Sequence, residues 1–213
     1  MKRFTMTLLI AVAVVAVGTT VQAQSTSAVN GNCAAEGSYG YEVTKAPGAT
    51  NTVWVEDDTP DNESVYRMQF QFNTKDMQVG NAAKYIIGVA LQEGAGQRPA
   101  QMLISYNNVN GFKVWCQSAH NNGVIYASPK VDLAANTWQT LMLEFRQSQG
   151  GGIDDGLCRI TNVSTGATGA IENFRNSNYA VGRARIGLTG RAQVPVQGTH
   201  CWDDFASFRT LAP

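Results

Sequence analysis

Apolar residues recur at every second position through the middle of this chain. Tyr66, Met68, Phe70 and Phe72 alternate with Arg67, Gln69 and Gln71, the pattern of a strand with one face in a core and one in water. Residues 85–91 are continuously apolar, as expected of a strand covered on both faces. Met102, Ile104 and Tyr106 alternate with Leu103 and Ser105. The Asn-rich turn 107–111 then leads into residues 112–117 as the hairpin partner. Residues 138–146 form another strand, with Leu141, Leu143 and Phe145 in phase. Segments 157–163, 184–188 and 201–209 complete the set.

Turn signals separate these runs, and the sequence gives no helical period of any length. His120 to Gly123 reads as a turn and 147–156 as a Gly-rich loop. Strand spacing and length together predict an all-β sandwich of two antiparallel sheets in a single domain, residues 33–213. Residues 24–32 read as a polar lead-in.

The first residues change where that domain is expected to work. Lys2 and Arg3 precede an apolar run over 8–17, and Val21-Gln22-Ala23 has the small residues that a signal peptidase requires. Residues 1–23 are therefore expected to be a cleaved signal peptide. A membrane anchor would need roughly 20 apolar residues, and no second such run follows. The protein is expected outside the cytoplasm, secreted or periplasmic.

Loss of Lys2 and Arg3 from 16 basic residues leaves 14 against 16 acidic ones, a net charge of −2. That balance excludes a nucleic-acid partner that needs a basic excess. The 44% hydrophobic content supplies a core, which excludes a disordered chain. In an oxidising compartment Cys33, Cys116, Cys158 and Cys201 imply two disulfides, with three pairings open. First and last strands of a sandwich are often neighbours, which favours Cys33–Cys201 and leaves Cys116–Cys158. No Cys/His spacing suggests zinc.

The strand 87–92, the hairpin 102–115, the segment Asn136-Thr137-Trp138-Gln139-Thr140-Leu141, Arg185-Ile186-Gly187-Leu188 and the ending Trp202-Asp203-Asp204-Phe205 resemble the concanavalin A-like lectin/glucanase superfamily, which includes laminin-G-like domains. The resemblance implies a jelly-roll sandwich. It implies less about activity, because this fold hosts lectins, hydrolases, lyases and adhesion modules. Some related carbohydrate-binding jelly rolls hold a structural calcium where the first and last strands meet. By that analogy Glu42 and Asp203 are the expected metal ligands, with backbone carbonyls completing the set. Capping of turns, or pairing with Lys45 and Arg209, is the competing role for these carboxylates.

Catalytic patterns are sparse. A glycosidase needs two carboxylates about 5 to 9 Å apart, and the Glu-x-Asp-x-x-Glu strand of this superfamily's hydrolases is missing, with Glu144 alone on its strand. Residues 111–117 resemble a strand of jelly-roll alginate lyases, yet Trp115 stands where the resemblance implies a Tyr acid/base. His120 and His200 lack a nucleophile nearby in sequence.

Binding is better supported. Trp115 shares a strand face with Lys113 and Gln117, and an indole on a polar face can stack on a sugar ring. Arg67 and Gln69 form a comparable face, as do Arg183 and Arg185. If these faces line one concave sheet, they favour an acidic glycan through guanidinium–carboxylate pairs. The competing expectation is that Trp115 packs beneath a neighbour and the basic side chains pair with acids such as Glu144 and Asp132. Asn62 and Asn162 begin glycosylation sequons, which matter only in a eukaryotic host. Three functions follow in order: a non-catalytic glycan-binding domain, an adhesive domain that meets protein, and a divergent lyase or hydrolase using Lys113, Gln117 or Arg67.

Overall fold

The computed structural model describes residues 24–81, 83–94, 96–189 and 196–212. The expected signal segment lies outside them. In chain order the strands are β1 (Thr26–Asn30), β2 (Gly40–Lys45), β3 (Val53–Asp57), β4 (Val65–Asn73), β5 (Gln78–Val79), β6 (Lys84–Leu91), β7 (Ala100–Asn107) and β8 (Gly111–Ala119). They continue with β9 (Ile125–Ala127), β10 (Val131–Leu133), β11 (Gln139–Arg146), β12 (Gly156–Asn162), β13 (Ala167–Phe174), β14 (Arg183–Leu188) and β15 (Val196–Phe208).

These strands form two antiparallel sheets, a jelly-roll β-sandwich. One runs β1-β2-β15-β4-β11-β12-β13, with β5 added beside β15. The other runs β10-β8-β7-β6-β14-β3, with β9 added beside β8. The residues expected as a polar lead-in include β1, which pairs with β2 through Thr26–Thr44 and Asn30–Gly40.

Alternation decides which side chains fill the space between the sheets. On β4 Tyr66, Met68, Phe70 and Phe72 are buried, while Arg67, Gln69 and Gln71 face outward. Phe112, Val114 and Cys116 of β8 point into the same core from the opposite sheet. In β6 the register shifts between Ile86 and Gly88, so Ile87 and Gly88 both face inward. A Cβ on Gly88 would stand 3.0 Å from Met68 Cε and 3.4 Å from a Phe70 ring carbon, so glycine suits this bulge.

At one end of the core, Phe72, Tyr85, His200 and Trp202 form an aromatic cluster. The His200 and Trp202 ring centroids are 4.7 Å apart. His200 is fully buried, and its Nε2 lies 2.9 Å from the Tyr85 hydroxyl. His200 is thus a core residue.

A disulfide joins Cys33, in the 3₁₀ turn Gly31–Cys33, to Cys201 of β15, with Cα atoms 5.2 Å apart. The second expected bridge is not formed. Cys116 and Cys158 are buried free thiols that face each other from β8 and β12. Each thiol is directed at a carbonyl: Cys116 Sγ donates to Cys158 O at 3.2 Å, and Cys158 Sγ lies 3.8 Å from Gln117 O. Burial, reinforced by the neighbouring Cys116, pushes the Cys158 thiol well above its usual range. Such a thiol is unreactive while the fold is intact.

After β15 the chain crosses the outer face of the β1–β13 sheet. Arg209 pairs with Glu63, and the Ala212 N–H donates to Glu144 Oε1 at 2.7 Å. No helix among the described residues is long and apolar enough to cross a membrane.

Candidate functional site

Strand phase places Lys113, Trp115 and Gln117 on the outer face of the β10–β3 sheet. Their surroundings there differ from one another. Trp115 is only 2% exposed. It sits opposite Leu103, and the Lys130 ammonium lies 4.7 Å from its ring centroid. Lys113 forms an ion pair with Asp132 of β10. Both arrangements follow the competing expectation, in which the indole packs and the basic side chain pairs.

Gln117 opens onto space. It accepts a hydrogen bond from Gln101 Nε2 at 2.9 Å, and Gln101 Oε1 in turn accepts from Arg98 Nη1 at 3.3 Å. These three side chains line an open cleft of about 290 Å³, which Ile125 and Tyr179 also line. The Tyr179 hydroxyl donates to the His120 carbonyl at 3.3 Å. His120 Nδ1 accepts the Asn122 N–H.

A second polar group stands toward the other edge of the same face. Arg183 and Arg185 of β14 both approach Glu56 of β3, Arg183 at 3.8 Å. The Arg185 guanidinium carbon also lies 4.5 Å from the ring centroid of Trp54, which is 38% exposed. Close packing of β14 on β3 depends on Gly187, whose φ is +117° and whose Cβ would meet Val53 O at 2.7 Å. In-register pairing sets Glu56, Arg185, Val89, Gln101 and Gln117 in one row across five strands.

Arg67 and Gln69 do not join this face. They lie on β4, in the other sheet, and point away from it on the opposite side of the sandwich. Alternation identifies which side of its own strand a residue occupies, but carries no information about which sheet that strand enters. Arg67 stacks on Phe208 at 4.0 Å, and its in-register neighbour Glu144 is fully buried. Glu144 is held by Arg159 Nε at 3.2 Å and by the Ala212 N–H.

Glu42 and Asp203 are on neighbouring strands of the β1–β13 sheet. Asp203 Oδ2 accepts the N–H groups of Ala35 and Glu36, at 2.7 and 3.2 Å, and Oδ1 accepts the Asp204 N–H. A carboxylate engaged by three N–H donors is poorly disposed to a cation. Among the described residues no group of three or more His, Cys, Asp or Glu side chains could hold a metal ion. The pair does not fit a calcium site as it stands.

Sequence reasoning missed Arg98, Gln101 and Trp54. Gln101 alternates with Met102 and was open to the same period-two reading as Gln117. Trp54 lies in a short edge strand whose alternation covers too few residues to stand out.

No family model and no curated protein matches the chain. Solved structures do. An endo-β-1,4-glucuronan lyase from the fungus Trichoderma reesei is similar over 88% of this chain and 88% of its own, with TM-score 0.61 and 17% identity. The cellulose induced protein Cip1 is similar over 88% and 87%, with TM-score 0.56 and 11% identity. The fold is the concanavalin A-like jelly roll. At these identities the likeness concerns the fold.

Proposed function

We propose that this is a secreted domain that binds an acidic polysaccharide on the outer face of its β10–β3 sheet. The observation that carries the proposal is the cleft in which Arg98, Gln101 and Gln117 converge. It offers a guanidinium and two primary amides, the donors and acceptors that a uronic acid requires. The fold shared with a glucuronan lyase supports the ligand class. The signal pattern and the Cys33–Cys201 disulfide support an oxidising compartment.

Binding is preferred to cleavage. β-Elimination requires a base at the proton beside the uronate carboxyl and an acid at the leaving oxygen. The ionisable side chains lining the cleft are Arg98 and Tyr179, and the Tyr179 hydroxyl is directed at a backbone carbonyl. A lyase is the second reading, favoured by the extent of the overlap with glucuronan lyase. It would require Tyr179 to turn into the cleft.

Retention on immobilised acidic and neutral polysaccharides, with and without calcium, tests the proposal. Selective retention on acidic polymers, reduced about tenfold or more by Arg98→Ala or Gln117→Ala, is expected. Release of unsaturated uronate ends would install the lyase reading. Absence of retention on every polymer would leave protein adhesion as the function.

A further inference from the structure

Trp54 and its neighbours form a compact polar and aromatic group that the cleft does not use. The indole is 38% exposed on β3, an edge strand with one side unpaired. Two guanidinium groups, Arg183 and Arg185, stand beside a single carboxylate, Glu56. One positive charge is left uncompensated within the trio. Arg183 Nε is buried and has no hydrogen-bond partner among the described residues. An exposed indole next to donors in excess matches the chemistry of a sugar acid, whose ring presents an apolar face and whose carboxylate accepts paired N–H groups.

Position links this group to the cleft. Glu56, Arg185, Val89, Gln101 and Gln117 are successive in-register partners. At about 4.8 Å between strands, the row spans roughly 19 Å. Both ends are polar, and the buried Val89 lies between them. A polymer crossing the strands along this row would meet Arg98, Gln101 and Gln117 at one end and Trp54, Arg183 and Arg185 at the other.

We infer that Trp54, Arg183 and Arg185 form an edge subsite for a uronic acid residue of a polysaccharide that runs across the strands from the Arg98–Gln101–Gln117 cleft. The inference rests on the acidic-glycan reading of that cleft and adds the direction and extent of the bound chain. Trp54 supplies the platform for the sugar ring. Arg183 supplies its unspent donors to the carboxylate, and Glu56 keeps Arg185 against the indole. A disaccharide fills the cleft alone, whereas a longer chain reaches both ends.

The test is titration calorimetry with β-1,4-linked oligoglucuronates (a disaccharide, a tetrasaccharide and a hexasaccharide) against the mature protein, Trp54→Ala and Arg183→Gln. Affinity is expected to rise with chain length for the unaltered protein. Trp54→Ala should lower hexasaccharide affinity about tenfold and leave disaccharide affinity within about twofold. Arg183→Gln should behave in the same way with oligoglucuronates and have no effect on reduced, uncharged oligomers of the same length. Both sites are partly exposed, and unchanged melting temperatures would show that the variants are folded. Disaccharide binding with identical affinities of all three proteins for the hexasaccharide would overturn the edge subsite and leave the cleft reading intact. Failure of the unaltered protein to bind any oligoglucuronate would remove both.

Discussion

The Tyr85 hydroxyl and His200 Nε2 lie 2.9 Å apart, with both residues essentially inaccessible to water. Burial is the main cause that pulls His200 down to about 3 from an ordinary value of 6.5. Lys45 acts in the same direction, while Asp76 and the backbone carbonyl of Gly198, which favours a protonated ring, oppose it. The unfolded chain therefore binds a proton between those two values that the native state refuses. This contribution to stability is fully present above about pH 6.5 and is lost as pH falls toward 3. Urea unfolding should show a decline of up to about 3 kcal/mol from this group between pH 6.5 and pH 4. A Tyr85→Phe, His200→Phe double variant, which leaves no orphaned polar partner, should show a flatter profile over that window.

Reduction of Cys33–Cys201 frees the 3₁₀ turn from the last strand, two elements separated by 168 residues in sequence. A Cys33→Ala, Cys201→Ala variant should lose about 2–5 kcal/mol, read as a lower urea midpoint. Thiol titration of unreduced protein should count no reactive thiol in the native state and two in denaturant, those of Cys116 and Cys158.

Trp115 is predicted to serve stability rather than ligand. Trp115→Ala should cost about 3–5 kcal/mol, because a buried indole leaves a large cavity. Lys130→Ala, which removes only the cation above the ring, should cost about 0.5–1 kcal/mol. Comparable small losses from both variants would show that the indole is not packed as described.

Glu144 anchors the end of the described chain. Glu144→Leu would leave Arg159 and the Ala212 N–H without their acceptor. Its cost should be about 2 kcal/mol, below that of a fully buried pair because Arg159 is one-third exposed. Glu144→Gln retains an acceptor and should cost less. Carboxypeptidase digestion should remove residues after Arg209 faster from the Leu variant than from the unaltered protein.

The strands of the core were legible because period-two alternation reports directly on burial. Tyr66 to Phe72 and Met102 to Tyr106 occupy the faces that their spacing assigns. The closeness of the two ends of the domain was also legible: β2, next to the turn that carries Cys33, pairs with β15, which carries Cys201. The site was legible only in part. The face that Gln117 occupies could be read, but Arg67 and Gln69 were grouped with it although the sandwich turns them to the opposite side. Sheet membership is set by long-range pairing, such as β4 with β15 and β11, and leaves no local trace. Burial of Trp115 depends on Leu103 and Lys130, contacts made by other strands and loops. Asn162 shows the same limit: its sequon is intact, yet the side chain is fully buried and donates to Asp132 O and Gln139 Oε1. The folded protein therefore cannot present it for glycosylation.

The Ala212 contact with Glu144 also determines how this protein can be handled. It holds the end of the described chain against the outer face of the β1–β13 sheet, on the far side of the sandwich from Gln117 and Trp54. A biotin or affinity handle attached at Ala212 would leave from that side. Molecules tethered through it would be mounted with the proposed polysaccharide face toward solution.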